Sequence, residues 1–172
     1  GFLMVSAFLI RKQNFEVSPT RSIDEVVYFR MAFQIQSGLE NYNTIPYGKI
    51  LHDGGRPLPD YFFKPLYKHP PIFTLFLSLA MKVFGFSELS AFYVPVVFSL
   101  LMIPLVYFLG ALVFNRTVGF LSAIVMSLDP MSIVCSQKVW MESLIAFFTV
   151  LSIYAFVKAL KTGTPRLFIS SG

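Results

Sequence analysis

The chain has 172 residues, 55% hydrophobic and only 13% charged, with a formal net charge of +5 and a mean hydropathy of +0.66. A soluble domain carries about 25% charged residues, so this composition describes a membrane protein and excludes a soluble charged module. The basic residues are scattered rather than clustered, which fits membrane topology better than nucleic-acid binding, and the single Cys excludes an intramolecular disulfide and a cysteine metal cluster.

Residues 1–10 form an apolar run closed by Arg11-Lys12. A bilayer takes about 20 residues to cross, so residues 1–12 read as the end of a truncated first transmembrane helix. After a polar linker containing Pro19, Ser22-Ile23-Asp24-Glu25 has the S-x-x-E spacing of a capping box. It predicts a helix over 23–37, with Val26, Phe29, Ala32 and Phe33 on one side and Gly38 as its stop. Acids in a first turn suit the helix dipole. Glu25 therefore has a cap role open to it, and Asp24 is the less explained of the pair.

Residues 38–68 read as a long loop broken by Gly54-Gly55, Pro57, Pro59 and Pro65. Its aromatic residues Tyr42, Tyr47, Tyr61, Phe62, Phe63 and Tyr67 argue for packing against the membrane surface or a ligand. His69-Pro70-Pro71 opens a helix over 70–84, with proline well placed in the first turn. Transmembrane helices are expected over 89–114, 117–136 and 142–160. Asp129-Pro130, inside the second of these, reads as a helix-end Asp at a kink. The expected fold is an all-α membrane protein: a transmembrane helix bundle, with residues 13–88 an outer loop holding amphipathic interfacial helices 23–37 and 70–84.

The number of crossings sets the topology. If helix 70–84 spans, Asp24 and Glu142 face opposite sides; if it lies in the interface, they share one. The positive-inside rule favours the second arrangement, which puts Arg116, Lys158, Lys161 and Arg166 in the cytoplasm. It leaves Arg11 and Lys12 outside, where a role facing an anionic headgroup would account for them. Asn115-Arg116-Thr117 matches the N-glycosylation pattern, yet this topology keeps it cytoplasmic. No glycan is expected there, and a glycosidase-sensitive mass shift would reverse the topology.

Asp24, Glu25, His69 and Glu142 are then the outer-face candidates for chemistry, supported by Lys64, Lys68 and Lys138. Three more have a plainer reading, as Glu25 does: Lys138 snorkels, His69 is an interfacial histidine, and Glu142 satisfies a helix dipole; Asp24 is the least explained by structure. No P-loop, Rossmann fingerprint, HExxH or nucleophile elbow is present.

Several pieces recur in order: Ile23-Asp24-Glu25-x-x-Tyr28, His69-Pro70-Pro71, Phe84-Gly85-Phe86-Ser87-Glu88, Tyr107-x-Leu109-Gly110, Gly119-Phe120-Leu121, Asp129-Pro130, and Ser136 to Glu142 leading into Leu144-x-x-Phe147-Phe148. In that order the chain resembles the N-terminal portion of GT-C glycosyltransferases, in the branch of protein O-mannosyltransferases and aminoarabinose transferases. The resemblance implies a glycosyltransferase that moves a hexosyl or pentosyl group from a polyprenyl-phosphate donor to an acceptor protein, lipid or glycan. It implies an integral protein of the plasma membrane or endoplasmic reticulum, active on the outer or lumenal face, with membrane lipid but no nucleic acid as partner.

By the same resemblance Asp24 is the base that activates the acceptor, with Glu25 and Glu142 as further catalytic acids. His69 holds the HPP position, and Tyr28, Lys68 and Lys138 join it as donor- or phosphate-binding candidates. The chain departs from the family's later SRxxxxD pattern, with Gln137 and Glu142 in place of Arg and Asp. Some relatives hold a divalent cation near such acids; no metal-ligand spacing is present here, so the metal is left open. The competing class is a non-catalytic membrane subunit or a transporter fragment, for which broken helices with midplane polar residues are the mark. The piece alone is expected to be inactive.

Overall fold

The computed structural model describes residues 1–13, 22–43, 49, 53–55 and 71–163, and every regular element among them is helical. Two helices are long and apolar enough to cross a membrane, Glu88–Val113 with 26 residues and Glu142–Thr162 with 21. At about 1.5 Å per residue both match or exceed a hydrocarbon core of about 30 Å. The fold is an all-α membrane type. Its chain divides into two compact units, Ser18–Val94 and the pairing of Gly1–Val17 with Pro95–Gly172, each described in turn.

The smaller unit begins with α2 (Ile23–Gln34), α1 (Phe2–Lys12) belonging to the other. Both halves of the capping box form: Glu25 N–H donates to Ser22 Oγ at 3.3 Å, and Ser22 N–H donates to Glu25 Oε2 at 2.8 Å. The helix tightens into a 3₁₀ turn over Ile35–Ser37 and stops at Gly38, whose φ of 140° suits glycine. Gln34 Nε2 then donates to the carbonyls of Asn41 and Asn43 at 3.1 and 3.0 Å, turning the chain back along the helix.

That turn buries Tyr42 against Met31 and Ile35. The membrane or ligand contact expected of Tyr42 is thus replaced by packing on its own helix. Burial pushes its phenol up from the ordinary tyrosine range, with the Thr74 hydroxyl acting in the opposite sense. Tyr47, Tyr61, Phe62, Phe63 and Tyr67 lie outside the described residues, as do Lys64, Lys68 and His69.

Helix α3 (Pro71–Phe84) packs on α2 through Phe73, Leu77, Ala80 and Met81, all buried. The Tyr28 and Phe73 rings meet edge to face at 5.1 Å. Its other side exposes Ile72, Leu75, Leu79 and Val83, an apolar face suited to lipid rather than water. Fourteen residues make a helix of about 21 Å, short for a crossing. Phe86, just beyond Gly85, covers Phe29 and Phe33 at ring distances of 5.2 and 4.9 Å.

The larger unit is built on α1, the body of α4 (Glu88–Val113), α5 (Arg116–Leu128), α6 (Pro130–Ser136) and α7 (Glu142–Thr162). Ala7, Ile103 and Ala123 form a buried cluster that joins α1, α4 and α5. The segment expected as one helix over 117–136 is broken into α5 and α6, bent by 53°. Asp129 leaves the helix (φ −61°, ψ 117°) and caps α6 by accepting from Ser132 N–H at 2.6 Å. Pro130 has no N–H to carry α5 onward, so a cap followed by proline starts a new helix.

Asn115 caps α5, accepting from Val118 N–H at 3.0 Å. At the same end Lys161 Nζ donates to the Leu112 carbonyl at the finish of α4, and Lys158 sits 5.6 Å above the Tyr154 ring. The α4–α5 hairpin closes on two glycines. A Cβ on Gly119 would stand 2.5 Å from the Tyr107 carbonyl and 2.8 Å from Ala111 N, and one on Gly110 would meet Gly119 Cα at 2.9 Å. Gly119→Ala is therefore expected to destabilise the protein by about 1–3 kcal/mol, the usual cost of overpacking against a backbone that cannot yield. A lowered Tm in detergent checks it, and an unchanged Tm would show that the hairpin can open.

Candidate functional site

Arg11 ends α1 and is wholly buried, at 0% exposure. The headgroup-facing role expected for it is overturned, although neighbouring Lys12 does remain exposed. A guanidinium so placed must have its donors satisfied. Nε donates to Ser99 Oγ at 2.8 Å, Nη1 to the carbonyls of Ser127 and Ala7 at 3.1 and 3.3 Å, and Nη2 to Ser132 Oγ at 3.2 Å. Ser99 and Ser132 hydroxyls are also hydrogen-bonded to each other at 3.0 Å. Asp129 acts on the guanidinium by its field, while its carboxylate caps α6. Gln137 Nε2 donates to the carbonyls of Ile10 and Arg11, both at 3.3 Å, closing the free end of α1.

Beside this network lies a cavity of about 390 Å³. Ser99 and Met102 of α4, Met126 of α5, Met131, Ser132 and Cys135 of α6, and Glu142, Ser143 and Ala146 of α7 line it, with Asp129 at the helix break. Apolar walls with a few convergent polar groups are the usual build of a small-molecule pocket. The two carboxylates of this unit's break and of the α7 first turn, Asp129 and Glu142, both face it. Glu142 is exposed and makes no hydrogen bond or ion pair among the described residues.

In the other unit the adjacent acids separate in role. Glu25 is 5% exposed and held in the capping box. Asp24, one residue earlier, is exposed and carries no hydrogen bond or ion pair among the described residues. Tyr28 is 3% exposed, its ring packed in the core of its unit. Lys138 is half-buried in the turn after α6. Asp24 and Glu142 thus belong to different units, and His69 and Lys68 lie outside the described residues. Among the described residues no group of three or more His, Cys, Asp or Glu converges on a possible metal position.

Sequence reasoning missed Arg11, Ser99 and Ser132 as a set. One signal was available: Ser99 is the single polar side chain in the apolar stretch between Pro95 and Pro104, and a polar group at that depth needs a partner. A family model described as dolichyl-phosphate-mannose-protein mannosyltransferase matches residues 68–172, a range that holds every residue lining the cavity. No curated protein and no solved structure matches the chain.

Proposed function

The chain belongs to the dolichyl-phosphate-mannose-protein mannosyltransferase family, a family of membrane glycosyltransferases, and from that membership we propose the reaction and its residues. The donor is a sugar on a polyprenyl phosphate, and the acceptor is a hydroxyl on a protein, lipid or glycan at the outer or lumenal face. The observation that carries the reading is the family match across the whole cavity-bearing segment.

Asp24 is the base that removes the acceptor's proton. The acceptor oxygen bonds to the anomeric carbon as the bond from that carbon to the phosphate oxygen breaks, with inversion. The polyprenyl phosphate leaves with the electron pair. Asp24 suits this role because its neighbour Glu25 is the one committed to the cap. Glu142, at the cavity, orients sugar or acceptor hydroxyls, and Lys68, Lys138 and His69 offset the charge that grows on the phosphate. Tyr28 contributes by holding α2 on α3.

Sidedness follows from the charges. Arg116 and Lys161 stand at one end of the larger unit, and the positive-inside rule makes that end cytoplasmic. The cavity-lining Met126 and Asp129 lie about 15–20 Å further along the chain from Arg116, which supports an outer or lumenal site in this reading. A transporter reading draws on the broken helix at Asp129, but there the freed helix ends are taken by Asp129 and Arg11 rather than left for an ion.

The test is transfer by the full-length protein in nanodiscs from polyprenyl-phosphate mannose, set against a nucleotide-linked mannose. Transfer from the lipid-linked donor alone is expected; transfer from the nucleotide sugar, or from neither, rejects the proposal. A chelator added to the same assay decides whether a divalent cation takes part.

A further inference from the structure

We propose that Arg11 is a positioning residue, which fixes the break between α5 and α6 and with it the geometry of the cavity. The argument begins at the break. The last carbonyls of α5 have no helical N–H to accept, because Asp129 turns out of the helix and Pro130 has none to give. Arg11 Nη1 supplies the missing donor to the Ser127 carbonyl at 3.1 Å. On the other side of the break Nη2 holds the hydroxyl of Ser132, in the first turn of α6, at 3.2 Å. Nε ties both to Ser99 on α4 at 2.8 Å.

One planar fork thus reads three helices at once, which an ammonium on a flexible stem cannot reproduce. Ser99 and Ser132 each bond Arg11 on one side and line the cavity on the other. Arg11 itself is fully buried and is not among the residues that line the cavity. Its effect passes through these hydroxyls and through the direction α6 takes from Asp129.

Cys135 lies on α6 and lines the same cavity, so its alkylation rate, followed on its own peptide by mass spectrometry, reports how firmly α6 is held. The geometric claim needs no transfer activity; its catalytic consequence rests on the proposed function. Wild type, Arg11→Met, Arg11→Lys and Ser132→Ala are compared as full-length protein in nanodiscs, with N-ethylmaleimide as probe. Gly119→Ala is the control, since it weakens the far end of α5.

Ser132→Ala is expected to speed alkylation at least about fivefold, since its hydroxyl's bonds to both Arg11 and Ser99 are lost and one such bond already changes a local opening by that factor, and Arg11→Met more, without rescue by Arg11→Lys. In the transfer assay Arg11→Met is expected to lower kcat while KM stays near wild type. Rates within twofold of wild type in Ser132→Ala, or an equal rise in Gly119→Ala, would overturn the proposal even if Arg11→Met fails to fold. Faster alkylation with unchanged kcat would overturn the positioning role. Faster alkylation in a wild-type background that transfers no sugar would leave the junction standing and sink the transferase reading instead.

Discussion

Asp24→Asn is expected to reduce sugar transfer by about 10²–10⁴-fold, the range a lost general base produces, with the Tm unchanged. The size follows from the chemistry. An alcohol attacking an anomeric carbon must shed its proton, and an amide of the same shape cannot take it. The unchanged stability follows from the structure, because Asp24 is exposed and holds nothing among the described residues.

The neighbouring acid provides the contrast. Glu25→Ala removes the carboxylate half of the capping box, leaving the bond from its backbone N–H to Ser22 Oγ, and is expected to cost about 0.5–1.5 kcal/mol, with turnover falling only as the folded fraction falls. The measurement is kcat and Tm for both variants, in nanodiscs and with the lipid-linked donor saturating. A loss of turnover in Glu25→Ala as deep as that in Asp24→Asn would place the chemistry on the wrong acid. Full activity in Asp24→Asn would remove the base assignment altogether.

What the sequence shows and what it hides divide along contact distance. The capping box from Ser22 to Glu25, the stop at Gly38 and the kink at Asp129-Pro130 are all visible, because each joins residues no more than a few positions apart. The 26 apolar residues of α4 are equally plain, since length and hydropathy alone mark a span.

Arg11 shows the opposite case. A basic residue closing an apolar run reads as a topological flank, and its true partners Ser99, Ser127 and Ser132 lie 88, 116 and 121 residues away. Serines in apolar helices carry no mark of which cation they serve. Tyr42 misleads for a related reason. An aromatic in a Gly- and Pro-rich stretch looks like a surface or ligand contact, whereas the two carbonyls gathered by Gln34 fold it back onto Met31 and Ile35.

Asp129→Ala is expected to destabilise the protein by about 1–2 kcal/mol, chiefly the loss of a helix cap, with a smaller loss of field at the buried Arg11. Two losses combine in it. The first is the α6 cap, the bond accepted from Ser132 N–H at 2.6 Å, typically about 1 kcal/mol for a substitution by alanine. The second is the field of the carboxylate on the Arg11 guanidinium, which has four hydrogen bonds to neutral acceptors but no ion pair among the described residues. Asp129→Asn separates the two, since its amide oxygen still caps while its charge is gone. The Asn variant is therefore expected to fall between wild type and Ala, and thermal unfolding of the three proteins in one detergent decides it. Equal loss in Asn and Ala would assign the whole effect to charge and none to the cap. Equal stability of Asn and wild type would mean that the hydroxyls and carbonyls around Arg11 hold its charge unaided.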